Sequence, residues 1–110
     1  MKIFFTSKFE NKIINLHPSL LPAFTGLHAP RQALEYGAKY TGCTVHFVDE
    51  GVDTGPIIMQ ESVAVDIDDD EHTLSEKILP IEHKIYPIVL DLLTSNKIKI
   101  INGKVITETD

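Results

Sequence analysis

The sequence predicts a single α/β domain in which a mixed β-sheet is flanked by helices and followed by a C-terminal hairpin. Three features carry that expectation. Cys43, Val45 and Phe47 alternate with Thr44, His46 and Val48, the period of two that marks a strand. Leu74, Ile78, Ile81, Ile85, Ile88 and Leu92 recur at spacings of three and four, the signature of an amphipathic helix. Short apolar runs separated by Pro, Gly and Asp then give the order β-α-β-β-α-β-β.

Taken along the chain, Lys12 to His17 is β-rich and ends at Pro18, which cannot donate to a sheet ladder. Pro18, Pro22, Gly26 and Pro30 make the next stretch a loop, and Pro30 to Tyr36 reads as a short helix closed by Gly37. The second strand places Thr44 and His46 on one face. Asp49 to Gly55 is an acidic loop, Pro56 to Val65 a third strand, and Asp66 to Glu71 a solvated connection. Thr73 and Glu76 have capping-box spacing and should open the long helix. Pro80 and Pro87 each remove one backbone hydrogen bond within it, so a kink or a broken register is expected there. Lys97 to Ile101 and Val105 to Thr107 flank Asn102-Gly103, a hairpin turn.

Bulk properties restrict the functions open to the chain. A length of 110 residues supports one modest core, and 43% hydrophobic with 24% charged residues is ordinary globular composition. A net charge of −6 with no basic run disfavours nucleic acid as a partner. No apolar stretch approaches the roughly 20 residues that span a bilayer, so no membrane segment is expected. The single Cys43 and the lack of a secretory leader pattern suggest a cytoplasmic setting.

Asn15 and His17 lie two residues apart at the end of a strand and therefore share a face. A carboxamide and an imidazolium aimed at one point can stabilise an oxygen that becomes negative when a nucleophile attacks a carbonyl or formyl carbon. Asp53, in the loop after the second strand, would favour the charged imidazole if it comes close. Alone, each residue has a plainer use: a His before Pro is more often structural, and Asp53-Thr54-Gly55 is also a good turn. His28, His72 and His83 have no partners at metal-ligand spacing, and no metal is expected. Cys43 reads as a core residue and His46 as a structural one, hydrogen-bonded beneath the site. The run Asp66, Asp68, Asp69, Asp70, Glu71 lacks the glycine and terminal Glu of a calcium loop and reads as solvated surface.

The strings Asn15-Leu16-His17-Pro18-Ser19-Leu20-Leu21-Pro22, Thr41-Gly42-Cys43-Thr44-Val45-His46-Phe47-Val48 and Gly51-Val52-Asp53-Thr54-Gly55-Pro56-Ile57-Ile58 closely resemble the phosphoribosylglycinamide formyltransferases. Glu82-His83-Lys84-Ile85-Tyr86-Pro87 resembles the same family, whereas methionyl-tRNA formyltransferases typically have Ala where Pro18 stands. The resemblance implies the C-terminal, catalytic half of a formyltransferase-type Rossmann-like fold over residues 1–110, with the N-terminal nucleotide-binding half and its glycine-rich phosphate loop missing. It implies transfer of a formyl group from 10-formyltetrahydrofolate to the amine of glycinamide ribonucleotide in de novo purine biosynthesis.

By the same resemblance His17 is the general acid, Asn15 a ligand of the formyl oxygen, and Asp53 the residue that raises the histidine pKa. Folate would meet Asn15, the loop Asp49, Glu50, Gly51, Val52 and Asp53, and the segment Met1, Lys2, Ile3, Phe4. The ribonucleotide would meet Leu79, Pro80, Ile81 and Glu82, with Glu82 on the ribose. A strand central in the complete sheet would become an edge, so a separate N-terminal half or a homo-oligomer is an expected partner. An inactive self-associating remnant and formyl transfer to another amine are the competing expectations.

Overall fold

The computed structural model describes residues 2–5 and 12–108. Six strands and two helices follow one another as β1 (Lys2–Phe5), β2 (Lys12–His17), α1 (Ala29–Tyr36), β3 (Tyr40–Phe47), β4 (Ile57–Ala64), α2 (Glu71–Thr94), β5 (Ile98–Ile101) and β6 (Lys104–Thr107). The first four strands form one sheet in the order β1-β2-β3-β4, and β5 and β6 form a separate hairpin.

The α/β class, the flanking helices and the C-terminal hairpin are as expected, but the sheet is not mixed. Every strand pairing among the described residues is antiparallel. The link from β2 through α1 reverses the chain before β3, instead of completing the right-handed crossover that parallel neighbours need. β1 was not anticipated as a strand. It pairs with the outer side of β2, Lys2 opposite Asn15, which leaves β1 and β4 as the sheet's edges.

The pairing of β2 with β3 sorts the two faces. Ile14 lies opposite Phe47 and Leu16 opposite Val45, while Asn15 lies opposite His46 and His17 opposite Thr44. Cross-strand partners point to the same side, so the first set faces α2 and the second faces away from it. Ile14, Cys43, Val45 and Phe47 pack with Leu74, Ile78, Ile85, Val89 and Leu93 of α2 into one buried core.

α1 opens with Pro30 in its first turn and closes on Gly37, whose φ of 85° puts it in the left-handed conformation common at helix ends. α2 begins earlier than Thr73. Its N-cap is Asp70, whose Oδ1 accepts from the Thr73 amide at 2.8 Å while the Asp70 amide donates back to Thr73 Oγ1 at 2.9 Å. Thr73 is thus the last residue of the capping box and not its first, because Asp is the stronger N-cap acceptor. The preceding acidic segment is only partly solvated, since the Asp69 carboxylate is 7% exposed and holds Lys77 Nζ at 2.6 Å.

The helical register is also unbroken at Pro80 and Pro87. Both prolines sit on exposed positions while Ile78, Ile85 and Val89 stay buried, so core packing outweighs the two missing hydrogen bonds. In the hairpin, Asn102 and Gly103 have φ of 52° and 75°, the pair of positive values that a two-residue turn of this hand requires.

Because Ile85 is 1% exposed at the centre of the α2 contact, Ile85→Ala should lower the unfolding free energy by about 3 kcal/mol in a urea titration. A loss under about 1 kcal/mol would show that α2 does not seal this core.

Candidate active site

β2 delivers Asn15 and His17 to the face opposite α2, and β3 supplies His46 and Thr44 across from them. Asp53 arrives from the loop joining β3 to β4, where its backbone is left-handed with φ of 56°. That loop is tied by Asp49, whose Oδ1 accepts from Thr54 Oγ1 at 2.6 Å and from the Gly51 amide at 2.9 Å. The Thr54 hydroxyl first, then the Gly51 amide, hold the Asp49 carboxyl below its usual range. Gly55 closes the loop. A methyl group there would overlap the Phe47 carbonyl, just where the Phe47 amide donates to the Pro56 carbonyl at 2.9 Å and pairing resumes.

The loop brings the Asp53 carboxylate among three groups, one of which carries the contact on to Asn15. Its Oδ2 accepts from the Gly26 amide at 2.7 Å and lies 3.5 Å from His17 Nδ1. Its Oδ1 lies 3.8 Å from His46 Nε2, which is itself 3.4 Å from Asn15 Nδ2. The other nitrogen of His17, Nε2, donates to the Phe24 carbonyl at 2.9 Å. Both ring nitrogens of His17 therefore face oxygens, and a ring carrying both protons can donate to each. The side chains of His17, His46 and Asp53 are 6%, 2% and 12% exposed, so this charge chemistry lies largely out of solvent.

The loop between β2 and α1 is fastened from beneath by Thr44, on the same strand face as His46, and by Gln60, which was not among the expected site residues. Thr44 Oγ1 donates to the Ser19 carbonyl at 2.7 Å and accepts from the Leu21 amide at 3.1 Å. Gln60 Nε2 donates to the Leu21 carbonyl and to Thr44 Oγ1 at 2.9 and 3.0 Å. Gln60 lies directly opposite Thr44 in the β3–β4 pairing. A lone amide directly after the apolar run Ile57 to Met59, facing a strand threonine, was the available signal.

The structure places the sequence-derived site residues in two regions. Asn15, Asp53, Asp49, Gly51 and Val52 line a cavity of about 210 Å³ together with His46, while His17 stands beside Asp53 without lining the cavity and Glu50 is exposed outside the lining. Leu79 and Glu82 line two adjoining clefts between the end of β2 and α2, of about 420 and about 610 Å³. Burial pushes the Glu82 carboxyl up. Pro80 is exposed and Ile81 packs against the core, and neither lines these clefts. Lys2, Ile3 and Phe4 contribute backbone to β1, and Met1 lies outside the described residues. Among the described residues no group of three His, Cys, Asp or Glu side chains could hold a metal ion.

A carboxamide beside a buried histidine–carboxylate pair, at the end of a strand and next to a cavity, is the equipment of an enzyme that stabilises charge developing on a carbonyl oxygen. Residues 2–90 match the formyl transferase family, and the chain belongs to that family. It is 51% identical over 102 residues to the human trifunctional purine biosynthetic protein adenosine-3, covering 92% of this chain and 10% of that protein. It is 52% identical over 85 residues to phosphoribosylglycinamide formyltransferase of Bacillus subtilis, covering 77% of this chain and 44% of the relative. Among solved structures, glycinamide ribonucleotide transformylase 1 from Symbiobacterium toebii superposes with a TM-score of 0.86 at 50% identity, over 87% of this chain and 45% of that one. A formyltetrahydrofolate deformylase from Pseudomonas syringae has a TM-score of 0.82 at 30% identity, over 87% of this chain and 32% of that one. The chain thus spans under half the length of these relatives.

Cys43 is fully buried, and its thiol is pushed up to about 12 by burial first and then by the negative charges of Glu82 and Glu61. The folded protein should therefore leave a disulfide reagent unreacted at pH 8 and consume one equivalent only on unfolding; rapid reaction of the native chain would contradict this. Above its ordinary value of 9.0 the unfolded thiol ionises while the folded one keeps its proton, so the Cys43 contribution to stability falls between pH 9.0 and about 12. Cys43→Ala should flatten that part of the stability profile.

Proposed function

We propose that this chain carries the formyl-transfer centre of a glycinamide ribonucleotide transformylase: it passes the formyl group of 10-formyltetrahydrofolate to the amine of glycinamide ribonucleotide, a cytoplasmic step of de novo purine synthesis. The observation that carries the reading is the cluster beside a cavity in which the Asp53 carboxylate lies 3.5 Å from His17 and 3.8 Å from His46, and His46 in turn meets Asn15 at 3.4 Å. The names of the relatives support the substrates.

In this reading the ribonucleotide amine attacks the formyl carbon and forms a C–N bond. Electrons move onto the formyl oxygen, which the Asn15 carboxamide and the His17 ring meet with N–H donors. His17 Nε2 donates to the Phe24 carbonyl in the structure, and this is the N–H that turns to the substrate oxygen. The amine proton passes to N10 of the folate as the old C–N bond breaks, leaving tetrahydrofolate and the formylated amine. Asp53 anchors His17 from behind. Loop residues Asp49 to Asp53 and the β1 segment flank the folate, and Glu82, in its cleft with Leu79, takes the ribose.

We assign the chain to the catalytic, C-terminal half of such an enzyme, so turnover requires the phosphate-binding remainder of the relatives' length, in the same polypeptide or a second one. Purified chain mixed with the complementary half of the Bacillus subtilis relative should formylate glycinamide ribonucleotide in a folate absorbance assay. His17→Asn should lower kcat by about a hundredfold or more. Absence of product with the complement present would overturn the reading, and folate breakdown without the ribonucleotide would indicate hydrolysis instead.

A further inference from the structure

We propose that His46 is a positioning residue for this reaction: its ring fixes the orientation of the Asn15 carboxamide so that one N–H is committed to the ring and the other is left for an oxygen in the cavity. The proposal rests on the formyl-transfer reading for its catalytic consequence but not for its geometry.

The argument begins at a backbone carbonyl. His46 Nδ1 lies 2.9 Å from the Phe47 carbonyl oxygen, which can only accept, so Nδ1 carries a hydrogen. In the neutral ring the bare lone pair is then on Nε2. Asn15 Nδ2 stands 3.4 Å from that nitrogen, a long hydrogen bond in which the amide must be the donor. An amide turned the other way would set its oxygen against the ring's lone pair, so the tautomer selects between two orientations that have almost the same shape.

Asn15 lines the cavity and His46 is 2% exposed, which keeps water from competing for Nε2. The Asn15 oxygen-versus-nitrogen choice, on which donation to an oxyanion depends, is therefore set on a neighbouring strand. A ring protonated at Nε2 would turn its new N–H toward Asp53 Oδ1, 3.8 Å away, and release Asn15. The two states make opposite demands on the amide and can be told apart.

The test is long-range proton–nitrogen correlation on the labelled full chain at pH 8. His46 should show a protonated Nδ1 and a bare Nε2. The Asn15 carboxamide resonances should move in His46→Asn, which keeps a donor near Nδ1 but loses the acceptor at Nε2. They should largely return in His46→Gln, whose amide oxygen can reach the Nε2 position. A protonated Nε2 in the wild-type ring, or Asn15 resonances unmoved by His46→Asn, would overturn the proposal; the wild-type spectrum decides even where a variant fails to fold.

With the complementary half present, His46→Asn should lower kcat by about tenfold to a hundredfold with the folate KM little changed, and His46→Gln should recover most of the loss. Equal losses in both variants, spread over kcat and KM, would mark a merely structural residue. If no preparation turns over, the formyl-transfer reading fails while the spectra still decide the positioning.

Discussion

The register between β2 and β3 is the constraint on which the rest of the molecule depends. Side chains alternate across a sheet, so the register that buries Ile14 and Leu16 beside Phe47 and Val45 under α2 also sets Asn15 beside His46 and His17 beside Thr44 on the opposite face. A slip of one residue would turn histidines into the core and isoleucine toward the cavity. Burial of apolar surface against α2 thereby fixes the geometry of the polar face, and the site inherits its precision from the hydrophobic core.

On that face the Asp53 carboxylate links groups that come from separate parts of the chain. It reaches the Gly26 amide in the loop before α1, His17 at the end of β2 and His46 on β3. A buried carboxylate is costly unless its oxygens are met by donors, and here each oxygen has at least one nitrogen within ion-pair or hydrogen-bond reach. The left-handed backbone at Asp53, the Asp49 ties and the close approach at Gly55 hold the loop in the shape that makes this possible. Thr44 and Gln60 do the same for the loop that carries the Phe24 carbonyl to His17.

Much of this was legible in the sequence where one local rule dominated. The alternation of residues 43–48, the spacing of the α2 apolar positions and the Asn102-Gly103 turn each named an element, and the Asn-x-His pair with Asp53 named the polar groups that the fold brings together. The start of α2 was misplaced because Asp70 and Thr73 both have cap chemistry, and only the backbone decides between them. The broken register that Pro80 and Pro87 allow does not occur, because their local cost is outweighed by long-range packing at Ile78, Ile85 and Val89. The antiparallel turn after β2 and the parts played by Gln60 and Gly26 depend on contacts between residues distant in sequence, which no local pattern reports.

The most direct measurement is a crystal structure of the chain with a non-reactive formyl-folate analogue bound. The account predicts the analogue's formyl oxygen within hydrogen-bond distance of Asn15 Nδ2 and of a His17 ring nitrogen released from the Phe24 carbonyl, with Asp53 still against the far side of that ring. An analogue bound with its formyl group away from Asn15, or His17 still held by Phe24 with the site filled, would contradict it.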